Sequence, residues 1–550
     1  MIIKSQPEPL VAYISMEIAL ENKIKTYAGG LGVLAGDILR SAVNMKFPMV
    51  GVTLFNHDGY FRQIITKDGE QKKSPDKSEF LLFKKMPQTV TVNIGKEAVL
   101  VGAWRYLIKS ESGLCVPVYF LDTDLSGNSP ENQRLSGALY GGDEEYRLKQ
   151  EIILGRGAVK ILEAIGHRKI IKFHLNEGHG ALAAVELFLN SKQAQEKNKI
   201  KEVKKKCVFT THTPVSKAQD IFSLPYFLSF QPDFPGYLPK LVTNNEINMT
   251  RIGLYFSGFA NAVSRTHQKT SREIYKGFNL RSVTNGVDSL FWTAPEFKIL
   301  YDKHIPGWRA DNALLKKAEH IPPREVWSAH QQAKKHLITY INKQPGVKFN
   351  EDVLTIAFAR RFTVYKRPEF LFRNLGRLLE INKKKPLQLI YAGKAHPDDL
   401  EGQELIRKIN LLAKGLSSDI QIVFLENYDL EKAQLLTAGA DLWLNNPLPP
   451  NEASGTSGMK AAHNGVPQAS TFDGWWVEGY KKNKTGWKIA EKTGDEIYEL
   501  LEKKILPLYY DFPENWRALM VSTISRNAAY FNTQRVLREY IKNIYHLRHW

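Results

Sequence analysis

Short apolar runs alternate with amphipathic helical stretches along most of this 550-residue chain. That alternation limits the fold more than any other feature. A run such as 353–359 is apolar on both faces, which suits a strand covered on both sides of a sheet. In the first half, strands are expected at Val11–Ser15, 49–55, 169–176 and 207–211, with a long helix at 143–165. The segment Thr89-Val90-Thr91-Val92 alternates instead, and predicts hairpins on the flank. In the second half, strands at 353–359, 387–394, 420–426 and 442–444 alternate with helices at 368–382 and 400–414. The expected class is α/β, with two Rossmann-like doubly wound domains facing a central cleft. The boundaries read as 1–295 for the first domain, 296–350 for a proline-punctuated helical linker and 351–515 for the second domain. A helix over 516–550 would pack back across the junction.

Composition narrows the class. Hydrophobic residues are 43% and aromatics 11%, as in a well-packed soluble protein. No apolar run is long enough to span a bilayer, and no charged-then-apolar leader opens the chain. Two cysteines exclude a disulfide framework and a cysteine-based zinc cluster, and point to a reducing cytoplasm. The net charge of +19 favours anionic partners. Its lysine clusters, at 201–206, 383–385 and 481–484, lack interleaved aromatics, so they read as solvated surface rather than a nucleic-acid site.

Candidate chemistry sits just after the predicted strands. Gly29-Gly30, His179, Asn285, Arg361 and Lys460 all occupy such positions, where open α/β sheets bind ligands. The stretch Glu452-Ala453-Ser454-Gly455-Thr456-Ser457-Gly458-Met459-Lys460 follows an apolar strand and a proline corner. Thr456 or Ser457 is the expected N-cap and Asn464-Gly465 the stop of a short helix whose start favours a phosphate. A nucleotide P-loop is excluded, because Gly455 and Gly458 are too close and Ala461 follows the lysine. Spacing alone leaves a glycine-rich turn with a solvated lysine, or a lysine that carries pyridoxal phosphate. Arg360, Arg361, Lys366 and Arg367 crowd the end of the 353–359 strand. Cations at a helix start oppose its dipole unless an anion offsets them, which suggests phosphate binding.

The wording of these stretches resembles the α-glucan (glycogen, starch and maltodextrin) phosphorylases. The resemblance covers about Tyr13 to Tyr480, on a chain that looks like a short form without the N-terminal regulatory segment of the large enzymes. It includes Ala28-Gly29-Gly30-Leu31-Gly32, Asn176-Glu177-Gly178-His179, Asn285-Gly286 with Trp292, Glu426-Asn427-Tyr428 and the Arg360–Arg367 cluster. The resemblance implies a GT-B-type architecture and pyridoxal 5'-phosphate on Lys460. Lys460, Arg361, Lys366, His179 and Glu452 would be catalytic. Gly30, Arg360, Tyr428, Thr456, Ser457 and Trp292 would complete the cofactor site. Gly29, His179, Asn285, Glu452, Ser454 and Gly455 would hold substrate, and no metal is implied. The Thr363-Val364 pair and Asp429 depart from the family pattern.

The implied reaction is reversible phosphorolysis of α-glucan or maltodextrin ends by inorganic phosphate, giving α-glucose 1-phosphate with retention. The alternative is a retaining nucleotide-sugar glucosyltransferase of the glycogen synthase kind. Neither nucleic acid nor a membrane is an expected partner, and a homo-oligomer is left open.

Overall fold

Val11–Ser15 (β1) is buried at all five positions and pairs in parallel on both sides. The computed structural model describes residues 8–111, 113–214, 219–235, 241–490 and 494–547. The chain divides into two units. The first runs to Phe61, takes up Pro75–Thr284 and ends with residues from Val536; the second holds Arg62–Ser74 and Asn285–Arg535.

In the first unit β1 is followed by β2 (Met49–Leu54), β3 (Cys115–Asp122), β4 (Lys172–Asn176), β5 (Cys207–Thr210), β6 (Phe259–Ala262) and β7 (Leu280–Ser282). These strands are parallel, in the order β7-β6-β5-β4-β1-β2-β3. Glu97–Lys109 adds antiparallel to β3 and pairs with Val90–Ile94, the flanking hairpin expected from alternation. Helix α1 (Gly30–Asn44) covers one face, where Leu34, Ile38 and Leu39 pack with Val11 and Tyr13. Helix α2 (Glu144–Ile165), capped by Asp143, covers the other, where Leu148 and Ile152 pack with Ala12 and Ile14. Gly36 lets α1 approach, since a Cβ there would stand 1.8 Å from the Ala19 carbonyl oxygen. The strand order reverses between β1 and β4, so the ligand crevice of this sheet lies beyond Ser15 and Asn176, which are register partners.

The second unit has β8 (Leu354–Ala359), β9 (Leu387–Ala392), β10 (Ile422–Leu425), β11 (Leu442–Asn445), β12 (Gln468–Thr471) and β13 (Gly486–Ile489). They form a parallel sheet in the order β10-β9-β8-β11-β12-β13. Its reversal point lies between β8 and β11.

Three sequence expectations need correction. Residues 296–350 are not a linker. Helices α3 (Pro295–His304) and α4 (Pro323–Ile341) bury Phe297, Leu300 and Val326 in the same cluster as Leu354 and Ile356. The hairpin Arg62–Ile65/Gln71–Ser74 belongs to the second unit, because Gln63 and Gln71 donate to the Gly393 and Ala395 carbonyls at 2.8 and 3.0 Å. The C-terminal helix is not continuous. It breaks where Val287 donates to the Phe531 carbonyl (3.2 Å) and accepts from the Thr533 amide (3.0 Å). Residues beyond this break join the first unit, where the Tyr540 and Tyr545 hydroxyls meet Thr210 and His174.

Among the described residues no helix is long and apolar enough to cross a membrane.

Candidate functional site

At the reversal point of the second unit, β8 ends in Ala359 and hands over to Arg360. The chain leaves β11 at Asn445 and reaches Glu452 after the proline corner. Arg360 donates to the Asn445 amide oxygen and, at 2.6 Å, to Glu452 Oε2. Lys366, at the end of the 3-10 turn Val364–Lys366, donates to the same Glu452 oxygen. Burial pushes the Glu452 carboxyl up, but the charges of Lys366 and Arg360 outweigh it and hold the group at about 2. Two largely buried cations therefore share one carboxylate oxygen. That arrangement leaves positive charge for a further anion to offset. Arg361, next in sequence to Arg360, is exposed.

Behind Glu452 stands Asp473, just past β12. Its Oδ2 accepts the Glu452 amide at 2.8 Å and its Oδ1 the Gly474 amide at 2.8 Å. The Trp475 amide donates to the Ser454 carbonyl at 2.9 Å, so the 473–475 turn clamps both ends of Glu452-Ala453-Ser454. Burial raises the Asp473 carboxyl to about 6 against the pull of the two amides.

Lys460 lies on the short helix Ser457–Ala462 and is 6% exposed. Its Nζ is 3.9 Å from the centre of the Trp292 ring. Asn464 fixes that pair by donating to the Trp292 carbonyl (2.9 Å) and accepting from the Ala294 amide (2.7 Å). His463 adds a 2.8 Å bond to Ser289. Thr456 is the N-cap, without a side-chain capping bond, and the Ser457 hydroxyl accepts from Trp443 Nε1 at 3.0 Å. Tyr428 is partly buried, and burial, aided by Asp429, pushes its hydroxyl pKa up. Gly455 sits at φ +71°, the left-handed region that a β-carbon disfavours. The Ser454 and Thr363 hydroxyls and Arg360 Nε are buried without a protein partner among the described residues. Asn285 is buried, and its carbonyl accepts from Arg535 at 3.1 Å. A buried amine against an aromatic wall, with the unsatisfied Ser454 hydroxyl just before its helix, suits a planar phosphorylated aldehyde.

The first unit has its own reversal-point cluster. The Ala28 and Gly29 amides donate to Glu17 Oε2 at 2.6 and 3.0 Å, and the Tyr140 hydroxyl donates to Glu17 Oε1 at 2.8 Å. This protein carboxylate takes the Gly29 amide, at a position the resemblance gives to substrate. Gly30 does face open space, with nothing within 4 Å of where a Cβ would stand. At the end of β4, Glu177 adopts φ +76°, ψ 172°, a conformation that favours glycine. Its carboxylate accepts from the His212 amide (2.6 Å) and the Thr213 hydroxyl (3.0 Å). His212 Nε2 meets Asn176 Oδ1 at 2.7 Å, and burial lowers its pKa to about 3. His179 Nε2 is 3.4 Å from Asp220, while its Nδ1 is buried without a partner among the described residues. Glu151, His179 and Asp220 are close enough to resemble a metal cluster, but Arg147 lies between Glu151 (3.0 Å) and Asp220 (3.2 Å) as their cation.

A carbohydrate phosphorylase family model matches residues 239–488, and a starch synthase catalytic-domain model matches residues 18–286. The chain is 34% identical to the maltodextrin phosphorylase of Thermococcus litoralis, over 98% of this chain and 70% of the relative. It is 35% identical to the glycogen phosphorylase of Aquifex aeolicus, over 97% and 86%. The chain belongs to the carbohydrate phosphorylase family. It is also 31% identical to an uncharacterized protein of Methanocaldococcus jannaschii, over 97% of this chain and 99% of that one.

For a carbohydrate phosphorylase, the second unit brings together Arg360, Lys366 and Glu452, and separately Lys460 and Trp292. Sequence reasoning missed Glu17, Asp473 and the pairing of Glu177 with His212. His212 carried a usable signal, a histidine directly after a strand. Asp473 carried none beyond standing before a glycine at a strand end.

Proposed function

We propose that this chain is an α-1,4-glucan phosphorylase that uses pyridoxal 5'-phosphate on Lys460. The observation that carries the proposal is the Lys460 amine buried 3.9 Å from the Trp292 ring, on the helix that follows the doubly paired Glu452. In the reaction inorganic phosphate takes the terminal glucosyl unit, the C1–O4 bond breaks, and O4 of the shortened glucan gains a proton. α-Glucose 1-phosphate leaves with its configuration retained. When bound, pyridoxal phosphate supplies a second phosphate group that acts as proton and charge partner to the first.

The residues of this chain make that pairing tolerable. Two close phosphates repel strongly unless cations surround them. Arg361 and Lys366 bind the substrate phosphate, and Arg360 offsets the charge of the cofactor phosphate. Lys366 exchanges its bond to Glu452 for one to phosphate, which frees the Glu452 carboxylate to accept sugar hydroxyls. Within the second unit, Asn285, Ser454 and Gly455 complete the sugar contacts, while Tyr428, Trp292, Thr456 and Ser457 border the cofactor; Gly29, Gly30 and His179 are the first unit's candidates. Two unpaired, buried cysteines suit a cytoplasmic enzyme.

The starch synthase match favours a second reading, a nucleotide-sugar glucosyltransferase. That match ends at residue 286, whereas Lys460 and Trp292 lie in the segment matched by the phosphorylase model. Borohydride reduction followed by peptide mapping tests the choice. A pyridoxyl group on the Lys460 peptide is expected; cofactor-replete protein that yields none there overturns the proposal.

A further inference from the structure

The lysines at 201–206 are more than a solvated face. A cleft of about 950 Å³ opens in the first unit, at the amino-terminal ends of β4, β5 and β6. This is the sheet edge opposite the reversal point. Lys172, Lys197, Lys201, Lys204, Lys205 and Arg281 line it, and no carboxylate is among the lining residues. None of the six has an ion-pair partner among the described residues. Lys197, Lys201 and Lys205 recur every four residues on helix Glu196–Lys206, an arrangement that repels itself along one face. Lys172 is half-buried at the floor. Among the described residues its Nζ donates only to the Lys205 carbonyl (2.6 Å), and burial lowers its pKa. Arg281 lies over the Phe259 ring at 5.6 Å, which adds a flat apolar wall.

Like charges gathered around a concavity, one of them half-buried, repel each other and attract an anion that offsets them. The volume falls within the roughly 300–1,000 Å³ of small-molecule pockets. We propose that this cleft is a second ligand site, which takes an oligophosphate group of nucleoside-triphosphate size. It is separate from the phosphate chemistry of the second unit and does not rest on the phosphorylase reading. The oligophosphate could be presented by a nucleoside triphosphate or by an inorganic chain, and Phe259 with Arg281 favours a ligand that also carries a ring.

Titration calorimetry of the whole protein with ATP, and separately with tripolyphosphate, tests this. The exposed pair Lys201→Glu/Lys205→Glu leaves the core untouched and should weaken binding about tenfold or more. Lys481→Glu/Lys482→Glu, on another basic run, should leave binding unchanged. Tighter binding of ATP than of tripolyphosphate identifies the ring-bearing source; the reverse identifies the inorganic one. Absence of saturable binding, equal loss in both double variants, or RNA binding that strengthens with chain length overturns the proposal. Glucan phosphorolysis should be unchanged in the Lys201/Lys205 variant, so failure here and failure of the proposed function read out separately.

Discussion

Lys460 Nζ lies 3.9 Å from the centre of the Trp292 ring, and both residues are buried in the second unit. On the proposed reading the ring shields the amine and would give the cofactor's pyridine ring a flat face to rest on. Stacking of this kind contributes about 0.5–1.5 kcal/mol. Trp292→Leu should therefore release pyridoxal phosphate roughly two- to tenfold more readily, measured by dialysis against cofactor-free buffer. Unchanged retention in a folded variant would remove Trp292 from the site.

Arg361, next in sequence to the paired Arg360, is exposed. Removing a charge-assisted contact costs about 1.5–3 kcal/mol, or roughly ten- to a hundredfold. Arg361→Ala should raise the KM for phosphate by that factor while the cofactor stays bound. A variant with wild-type phosphate dependence contradicts the assignment.

Asp473 should act by holding the loop of Glu452, whose amide it accepts at 2.8 Å. Its carboxyl is raised to about 6, mainly by burial. The sign is set by the folded state binding the extra proton between about pH 4 and 6, so ionisation there weakens the fold while it strengthens the amide clamp. Asp473→Asn should remove an acid limb near pH 6 from the rate profile and lower kcat more than it raises KM. An unaltered profile leaves Asp473 with a packing role only.

The first unit buries His174 and His267 and half-buries His212, with pKa values lowered, chiefly by desolvation, to about 3, 4 and 3. Unfolded histidines bind protons below about pH 6.5, so the unfolded state gains protons first as acid is added. Stability of this unit should fall as pH drops from about 6.5 toward 4, followed by Tm. His212→Gln should flatten that fall. A Tm independent of pH over this window counts against neutral burial.

How legible each feature was depended on how local its cause was. The fully buried run Val11–Ser15 and the Asp143-capped helix Glu144–Ile165 announce themselves by composition and capping, and both stand where expected. The short helix that carries Lys460 was legible from its Thr456 start and Asn464-Gly465 stop, whereas spacing alone left the role of Lys460 open. Long-range pairings left no such trace. Gln63 looks like an ordinary surface residue until the Gly393 carbonyl accepts its amide, 330 positions away. The apolar pattern of the C-terminal segment reads as one helix, because the Val287 backbone that pairs at its break lies far away in sequence. Glu17 reads as an acidic residue after a strand, and its role appears only when the Ala28 and Gly29 amides fold onto it.

The central claim is tested most directly by supplying maltodextrin with and without inorganic phosphate and measuring glucose 1-phosphate. The same preparation is offered glucose 1-phosphate, then nucleotide-glucose donors, on a maltodextrin primer. A phosphorylase built around Lys460 should release glucose 1-phosphate only when phosphate is present, and should elongate the primer from glucose 1-phosphate. Lys460→Ala should abolish both directions. Elongation from nucleotide-glucose donors, with none from glucose 1-phosphate, would contradict the account.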